Sequence, residues 1–142
     1  MLLQDMFRDG REVVTAEPND TIAQATLKMK EADVGAVIVT EEGKVVGILT
    51  DRDVALATVL GEASPESPVS EVMTKDVKTI WADQGVFNAT QYLAGHRVRR
   101  LPVIDRKNRL VGLVTADDLF ALLSRELFNV SQALEPALHE TV

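Results

Sequence analysis

The segment Gly47-Ile-Leu-Thr-Asp-Arg-Asp53 recurs as Gly112-Leu-Val-Thr-Ala-Asp-Asp118, sixty-five positions later. Each copy reads Gly-x-x-Thr-x-x-Asp, follows an apolar run and precedes a helical pattern. Duplication constrains the fold strongly, because repeated units bury their apolar faces against one another. The match extends far beyond seven residues. Val13-Val14-Thr15 aligns with Val77-Lys78-Thr79 at an offset of 64. Ile22, Ala25, Thr26 and Met29 then fall on Val86, Ala89, Thr90 and Leu93, each set marking one face of an amphipathic helix. Val34-Gly-Ala-Val-Ile-Val39 falls on Val98-Arg-Arg-Leu-Pro-Val103. Turns follow at Glu41-Glu42-Gly43 and Arg106-Lys107-Asn108, where Gly and Asn tolerate the positive φ of a tight hairpin. The second turn is one residue longer, and Val45–Leu49 then matches Leu110–Val114.

Each half therefore reads strand, helix, strand, hairpin, strand, helix, an α/β (α+β) pattern. The expected division is repeat one over 1–62 with its core at about 13–60, a Pro- and Ser-rich linker over 63–70, repeat two over 71–128 with its core at about 77–124, and a C-terminal tail over 129–142. A lead-in recurs loosely, Gln4-Asp5-Met6 resembling Ser70-Glu71 and Met73. Leu119, Leu122, Leu123 and Leu127 line one side of the last helix. A half of roughly 60 residues buries only about 60% of its unfolded surface and is marginal alone. Two halves packed sheet to sheet about a pseudo-twofold axis make a sufficient core. They would leave two equivalent clefts where they meet.

The formal charge of −7 makes the chain a poor default binder of DNA or anionic membrane. The absence of cysteine excludes disulfides and thiolate metal sites. No apolar stretch approaches the ~20 residues that span a bilayer. MLLQDMFRDG has no charged region leading into an apolar run, so a cytoplasmic location is expected. Catalysis is not expected. His96 has no nucleophile nearby in sequence, and His139 lies far from it. Asp51/Asp53 and Asp117/Asp118 read as helix N-terminal acids stabilised by the dipole rather than as a Mg²⁺ site. No metal and no required cofactor are expected.

The repeated motif supports two chemistries. Thr50 stands where a strand ends and a helix begins, so exposed N–H groups and the helix dipole favour an anion there. Its hydroxyl can donate to a phosphate, and the Asp53 carboxylate can accept from two ribose hydroxyls. Gly47 leaves room for a ligand or a second backbone. The same holds for Gly112, Thr115 and Asp118. Alternatively, Thr-x-x-Asp is a capping box and no more. Near the second copy, His96-Arg97-Val98-Arg99-Arg100 replaces Ala32-Asp33-Val34-Gly35-Ala36. The three guanidinium forks suit phosphate geometry, or they pair with surface carboxylates. Repeat two departs elsewhere too. Pro18 becomes Ala82, Thr21 becomes Gly85 and loses a cap oxygen, and Trp81 takes the place of Glu17, where it could stack on a base at a cleft rim. The two clefts are expected to differ in affinity, with Thr115 and Asp118 the stronger site for a phosphorylated ligand.

In sum of motifs and order, the chain resembles a tandem pair of CBS domains, the cystathionine beta-synthase module also called a Bateman module. The resemblance covers about Leu3 to Leu123. It rests on VVTAEPNDTIAQA, on HRVRRLPVID and on the two Gly-x-x-Thr-x-x-Asp segments. HRVRRLPVID is also similar to a stretch of the regulatory gamma subunit of AMP-activated protein kinase. The resemblance implies a regulatory module that binds an adenosine-containing ligand between its repeats. Known classes are AMP, ADP, ATP, NAD(H), S-adenosylmethionine and diadenylate messengers. In the family the matching Thr and Asp hold phosphate and ribose. The ligand residues so implied are Thr15, Val34, Gly47, Thr50 and Asp53 in repeat one. In repeat two they are Thr79, Arg97, Val98, Arg99, Arg100, Pro102, Gly112, Thr115 and Asp118. A homodimer forming a flat disc, and a separate effector protein, are implied as well. Two other readings stand beside this one. One is a dimerising, partner-docking module with vestigial clefts. The other is a nucleic-acid binder through Arg97–Arg100, disfavoured because Trp81, Tyr92 and the four phenylalanines are scattered.

Overall fold

The computed structural model describes residues 1–7 and 13–140, with side chains as far as Glu135. Repeat one contains β1 (Thr15–Ala16), α1 (Ile22–Ala32), β2 (Ala36–Glu41), β3 (Lys44–Thr50) and α2 (Asp51–Val59). Repeat two contains β4 (Ile80–Trp81), α3 (Val86–His96), β5 (Arg100–Ile104), β6 (Leu110–Thr115) and α4 (Ala116–Glu140). Short 3₁₀ turns at Leu3–Phe7 and Val69–Glu71 precede the repeats. The strands form two three-stranded mixed sheets, β1-β2-β3 and β4-β5-β6, as the repeat pattern requires. In each, the first strand runs parallel to the second and the second antiparallel to the third. Even the register irregularities correspond, falling between Val39 and Thr40 and between Val103 and Ile104.

Local chemistry explains the boundaries. Glu42 and Gly43 both take positive φ in the first hairpin, and Asn108 does so in the second. There Asp105 accepts N–H bonds from Lys107 at 2.8 Å and Arg109 at 3.0 Å. Those bonds, the one from Arg109 foremost, hold its carboxyl below the usual carboxylate range. Thr21 and Gln24 form a capping box on α1, whereas Gly85 gives α3 no side-chain cap. The loss expected from Thr21→Gly85 in the repeat alignment is therefore observed. Asp33 and Arg97 end α1 and α3 in the left-handed conformation, with φ of 53° each.

The buried side chains divide into two clusters rather than one shared core. Ala16, Ile22, Ala25, Met29, Val37, Val39 and Leu49 form the first. Ile80, Val86, Ala89, Leu93, Leu101, Val103, Val114 and Leu119 form the second. Each is closed by the other repeat's lead-in. Leu3, Met6 and Phe7 pack into the cluster of repeat two, and Val69, Val72 and Met73 into that of repeat one. Backbone bonds fix both docks: Val86 donates to Met1 O at 3.0 Å, and Ile22 to Ser67 O at 2.9 Å. Leu3 and Val69 are fully buried. Burial of a side chain of this size contributes about 1.5–3 kcal/mol. The sheets also join at their hairpins, where Leu110 N–H donates to Gly43 O at 3.0 Å.

The lead-ins explain the two repeated glycines. A Cβ on Gly112 would lie 2.7–2.8 Å from ring atoms of Phe7, and one on Gly47 would collide with Met73 Sδ. The room at these positions is taken by a side chain of the neighbouring lead-in. It is not left open to a ligand, which corrects the expectation for Gly47 and Gly112. The last helix also differs from expectation: α4 continues through the segment 129–140 that was set apart as a tail.

Gly112→Ala is predicted to lower unfolding free energy by about 1–3 kcal/mol through overpacking. Gly47→Ala should cost less, because Met73 is flexible and the Phe7 ring is not. Urea unfolding of both variants checks the order, and Met73→Ala should relieve Gly47→Ala.

Candidate functional site

Strand ends bring the site together. β6 ends at Thr115 and α4 starts at Ala116, whose N–H donates to Arg99 O at 2.8 Å. In repeat one the Asp51 N–H donates likewise to Gly35 O at 3.0 Å. Each helix start is thus tied to the start of the central strand of its own sheet. The starts of β1 and β2 in repeat one then face the end of β6 in repeat two across a cavity of about 420 Å³. Val13, Val14, Val34 and Ala36 supply apolar wall from the first repeat; Leu113, Thr115, Asp118 and Arg100 come from the second. Phe7 lines it as well.

Arg100 reaches across the repeats. A Cβ on Gly35 would lie 3.7 Å from Arg100 Nη2 and 3.3 Å from Asp51 Oδ2. The guanidinium thus lies near Gly35 of repeat one, where an added methyl group would meet it only in ordinary contact. Arg100 is half-buried, and its side chain has no hydrogen bond or ion pair among the described residues. Such a donor set is available to an anion. Asp33, Asp117 and Asp118 line the same cavity and set an opposing field.

Both Thr-x-x-Asp segments are complete capping boxes. Asp53 N–H donates to Thr50 Oγ1 at 3.1 Å, and Thr50 N–H to Asp53 Oδ2 at 2.9 Å. Asp118 N–H donates to Thr115 Oγ1 at 3.0 Å, and Thr115 N–H to Asp118 Oδ2 at 3.2 Å. The capping alternative is thus present at both sites. It does not exclude ligand contact, because each threonine uses its oxygen as acceptor and keeps its O–H proton to donate.

The structure sorts the other expected residues. Val34, Arg100, Thr115 and Asp118 share the cavity, which does not include Thr50 or Asp53. Arg99 lines a smaller adjoining hollow of about 110 Å³ with Arg100 and Thr115. Arg97 is exposed at the end of α3 and lines neither hollow. Val98 packs against the repeat-two core. Thr15 pairs with Ile38 in β1 and presents its carbonyl to Lys28 Nζ at 2.8 Å. Pro102 is fully buried within β5 and cannot touch a ligand, which corrects that assignment. Thr79 and Trp81 line a different cavity at the opposite ends of β4 and β5, so Trp81 is not at the inter-repeat cleft. Val13, Val14, Asp33, Gly35 and Ala36 are not among the ligand residues expected from sequence, and Asp117 is expected only as a helix N-terminal acid. Their common signal is position: the valines, Gly35 and Ala36 sit at strand starts, Asp33 at the end of α1 and Asp117 at the start of α4.

A CBS-domain sequence profile matches residues 7–59 and 69–125. The chain belongs to the CBS-domain family. It is 43% identical over 108 residues to the CBS domain-containing protein YhcV of Bacillus subtilis, covering 76% of each. The solved CBS domain pair of protein MJ0100, in complex with 5′-methylthioadenosine and S-adenosyl-L-methionine, superposes with a TM-score of 0.77 at 27% identity. That match covers 89% of this chain and 98% of the other. Inosine-5′-monophosphate dehydrogenase of Methanocaldococcus jannaschii is 36% identical over 110 residues, but these are 77% of this chain and 21% of the enzyme. The likeness to the dehydrogenase thus extends to a fifth of that protein.

Thr50→Ala and Thr115→Ala are each predicted to cost about 1 kcal/mol of stability as lost caps. Serine at either position should restore most of it in urea unfolding. Equal losses are expected in the two repeats, since both boxes share one geometry.

Proposed function

We propose that the chain is a regulatory CBS pair that senses an adenosine-containing ligand of the AMP, ADP or ATP class in the cytoplasm. It signals by changing shape or assembly, without catalysis. The observation that carries this reading is the inter-repeat cavity, whose apolar wall from one repeat faces Thr115, Asp118 and Arg100 of the other. The apolar wall suits a base, Asp118 a ribose, and the Thr115 hydroxyl with Arg100 a phosphate. The adenosine compounds in the MJ0100 pair support the same class. One phosphate meets the guanidinium; further phosphates meet Asp33 and Asp117. AMP is therefore the favoured member of the class, and Thr50 and Asp53 the weaker site.

Regulation requires that ligand bind two states with different affinity. The unpartnered surface of α4 supplies an assembly that can differ. Phe120, Leu123, Leu127, Val130 and Leu134 are all exposed, at alternating spacings of three and four. That is a heptad seam, which another helix fills by knobs-into-holes packing. A homodimer joined partly through α4 follows, with an effector protein as reader.

Melting temperature measured against AMP, ADP, ATP, S-adenosylmethionine and NADH tests the ligand class. A ligand at 100 times its dissociation constant should add about 2.7 kcal/mol. AMP is expected to give the larger shift than ATP. Asp118→Ala should abolish the shift and Asp53→Ala should keep it. No shift with any member would favour a docking module with vestigial clefts. A separate prediction concerns assembly: sedimentation should find a dimer that Leu127→Glu with Val130→Glu converts to a folded monomer.

A further inference from the structure

The pseudo-symmetry exposes a difference that the inter-repeat cleft does not use. At the far end of the β4-β5-β6 sheet lies a cavity of about 440 Å³. Thr79, Ile80, Trp81, Gln84, Asn88, Tyr92, Ile104 and Asn108 form its lining. In repeat one the corresponding residues are Thr15, Ala16, Glu17, Asp20, Gln24, Lys28, Thr40 and Gly43. There Glu17 and Thr40 line a smaller hollow of about 260 Å³, and Lys28 takes the place of Tyr92. Lys28 Nζ donates to Thr15 O at 2.8 Å and lies 3.9 Å from Asp20 Oδ2. In repeat two Tyr92 replaces that lysine and Gln84 its carboxylate partner. No side chain among the described residues donates to Thr79 O.

Tyr92 thus stands where repeat one has Lys28, and Trp81 where it has Glu17, and both rings are held from elsewhere. Arg106 lies over Trp81, its Cζ 3.9 Å from the ring centroid. The same guanidinium is fixed by a bidentate pair with Asp83, at 2.8 and 3.0 Å. Tyr92 stacks at a tilt on His96, with centroids 4.2 Å apart. Asn108 projects from the hairpin that Asp105 pins. Three carboxamides converge on the cavity. The Asn88 amide donates to Gln84 Oε1 at 3.3 Å, which leaves the Gln84 NH₂ and the Asn88 carbonyl unused among the described residues. Among the described residues, no ionised side chain lines the cavity.

We infer that this cavity is a second binding site, separate from the inter-repeat cleft, for an uncharged planar heteroaromatic compound such as a free nucleobase or nicotinamide. Fixed aromatic rings supply stacking surface at small entropic cost. Carboxamides supply both donors and acceptors to ring edges. The lack of an ionised partner disfavours a ligand that carries its own phosphate there. Buried Ile80 and Ile104 form the apolar floor.

Trp81 is the chain's single tryptophan, so its emission reports on this site directly. The full chain is titrated with adenine and, separately, with nicotinamide, exciting at the red edge of tryptophan absorption. A saturable change with at least one probe is expected. Tyr92→Lys, which installs the repeat-one residue, should weaken binding by about tenfold or more, the scale of one lost stacking partner. Asn88→Leu, at an exposed position, should weaken it severalfold and carries the test if Tyr92→Lys does not fold. Asp118→Ala, in the other cleft, should leave the affinity unchanged. Absence of a saturable change with both probes would overturn the inference. So would a change lost in Asp118→Ala but kept in Tyr92→Lys or Asn88→Leu, since that response would arise in the inter-repeat cleft.

Discussion

The fold depends on an exchange of lead-in segments. Neither repeat closes its own core: Leu3 precedes repeat one yet is buried in repeat two, and Val69 precedes repeat two yet is buried in repeat one. The second dock is local in sequence. The first joins the start of the chain to residues 80–119 and closes a long loop, whose entropy rises only slowly with its length. Phe7 on Gly112 and Met73 on Gly47 are the steric keys. Each core therefore lacks part of its wall without the lead-in that precedes the other half. The exchange also positions the cleft, because Phe7 both packs on β6 and lines the cavity beside Thr115.

The same atoms serve the fold and the site. A threonine hydroxyl that accepts from the helix N–H still has one proton to give. A capping box therefore holds Thr115 and Asp118 in place, which would lower the ordering cost of the proposed binding. The tie from Ala116 N–H to Arg99 O adds to this by fixing the helix start against β5. Arg100, the next residue, is then carried toward Gly35 of the other repeat. The counterpart of Arg100 is Ala36, so a guanidinium at this position breaks the pseudo-twofold symmetry and distinguishes this cleft from the other.

Much of the fold was legible because burial has a period. Ile22, Ala25 and Met29, with Val86, Ala89 and Leu93, were marked by helical spacing, and all are buried. Glu42–Gly43 and Asn108 were marked by turn chemistry, and all three take positive φ. The glycines misled, because a glycine records only that something approaches closely, and here that partner was Phe7 or Met73, distant in sequence. Pro102 misled through its neighbours: the arginines before it are solvent-accessible, but strand β5 runs inward within three residues. For Trp81 the sequence leaves packing and a cleft rim both open, because it places the residue next to a strand without saying at which end. The lining from Val13, Asp33 and Gly35 was invisible for the same reason. A cavity between repeats is built by strand starts of one half and strand ends of the other, and only the packing pairs them.

Position by position, duplication separates what packing fixes from what chemistry can vary. Ala16/Ile80, Ile22/Val86, Met29/Leu93, Val37/Leu101, Val39/Val103 and Leu49/Val114 are buried pairs, and every member is apolar. Buried polar groups would need partners that a swap between repeats does not bring. Around these pairs the charge pattern changes freely: Glu17 against Trp81, Lys28 against Tyr92, Asp33 against Arg97, Gly35 against Arg99. Nearly all of these positions contact solvent, where a substitution away from special features costs little stability. The core can therefore hold two equivalent frameworks while each end of each sheet acquires its own recognition chemistry. In repeat two the outcome differs at the two ends of one sheet. An arginine comes to one end, where an anion can be held, and two aromatic rings come to the other, where a neutral ring can stack.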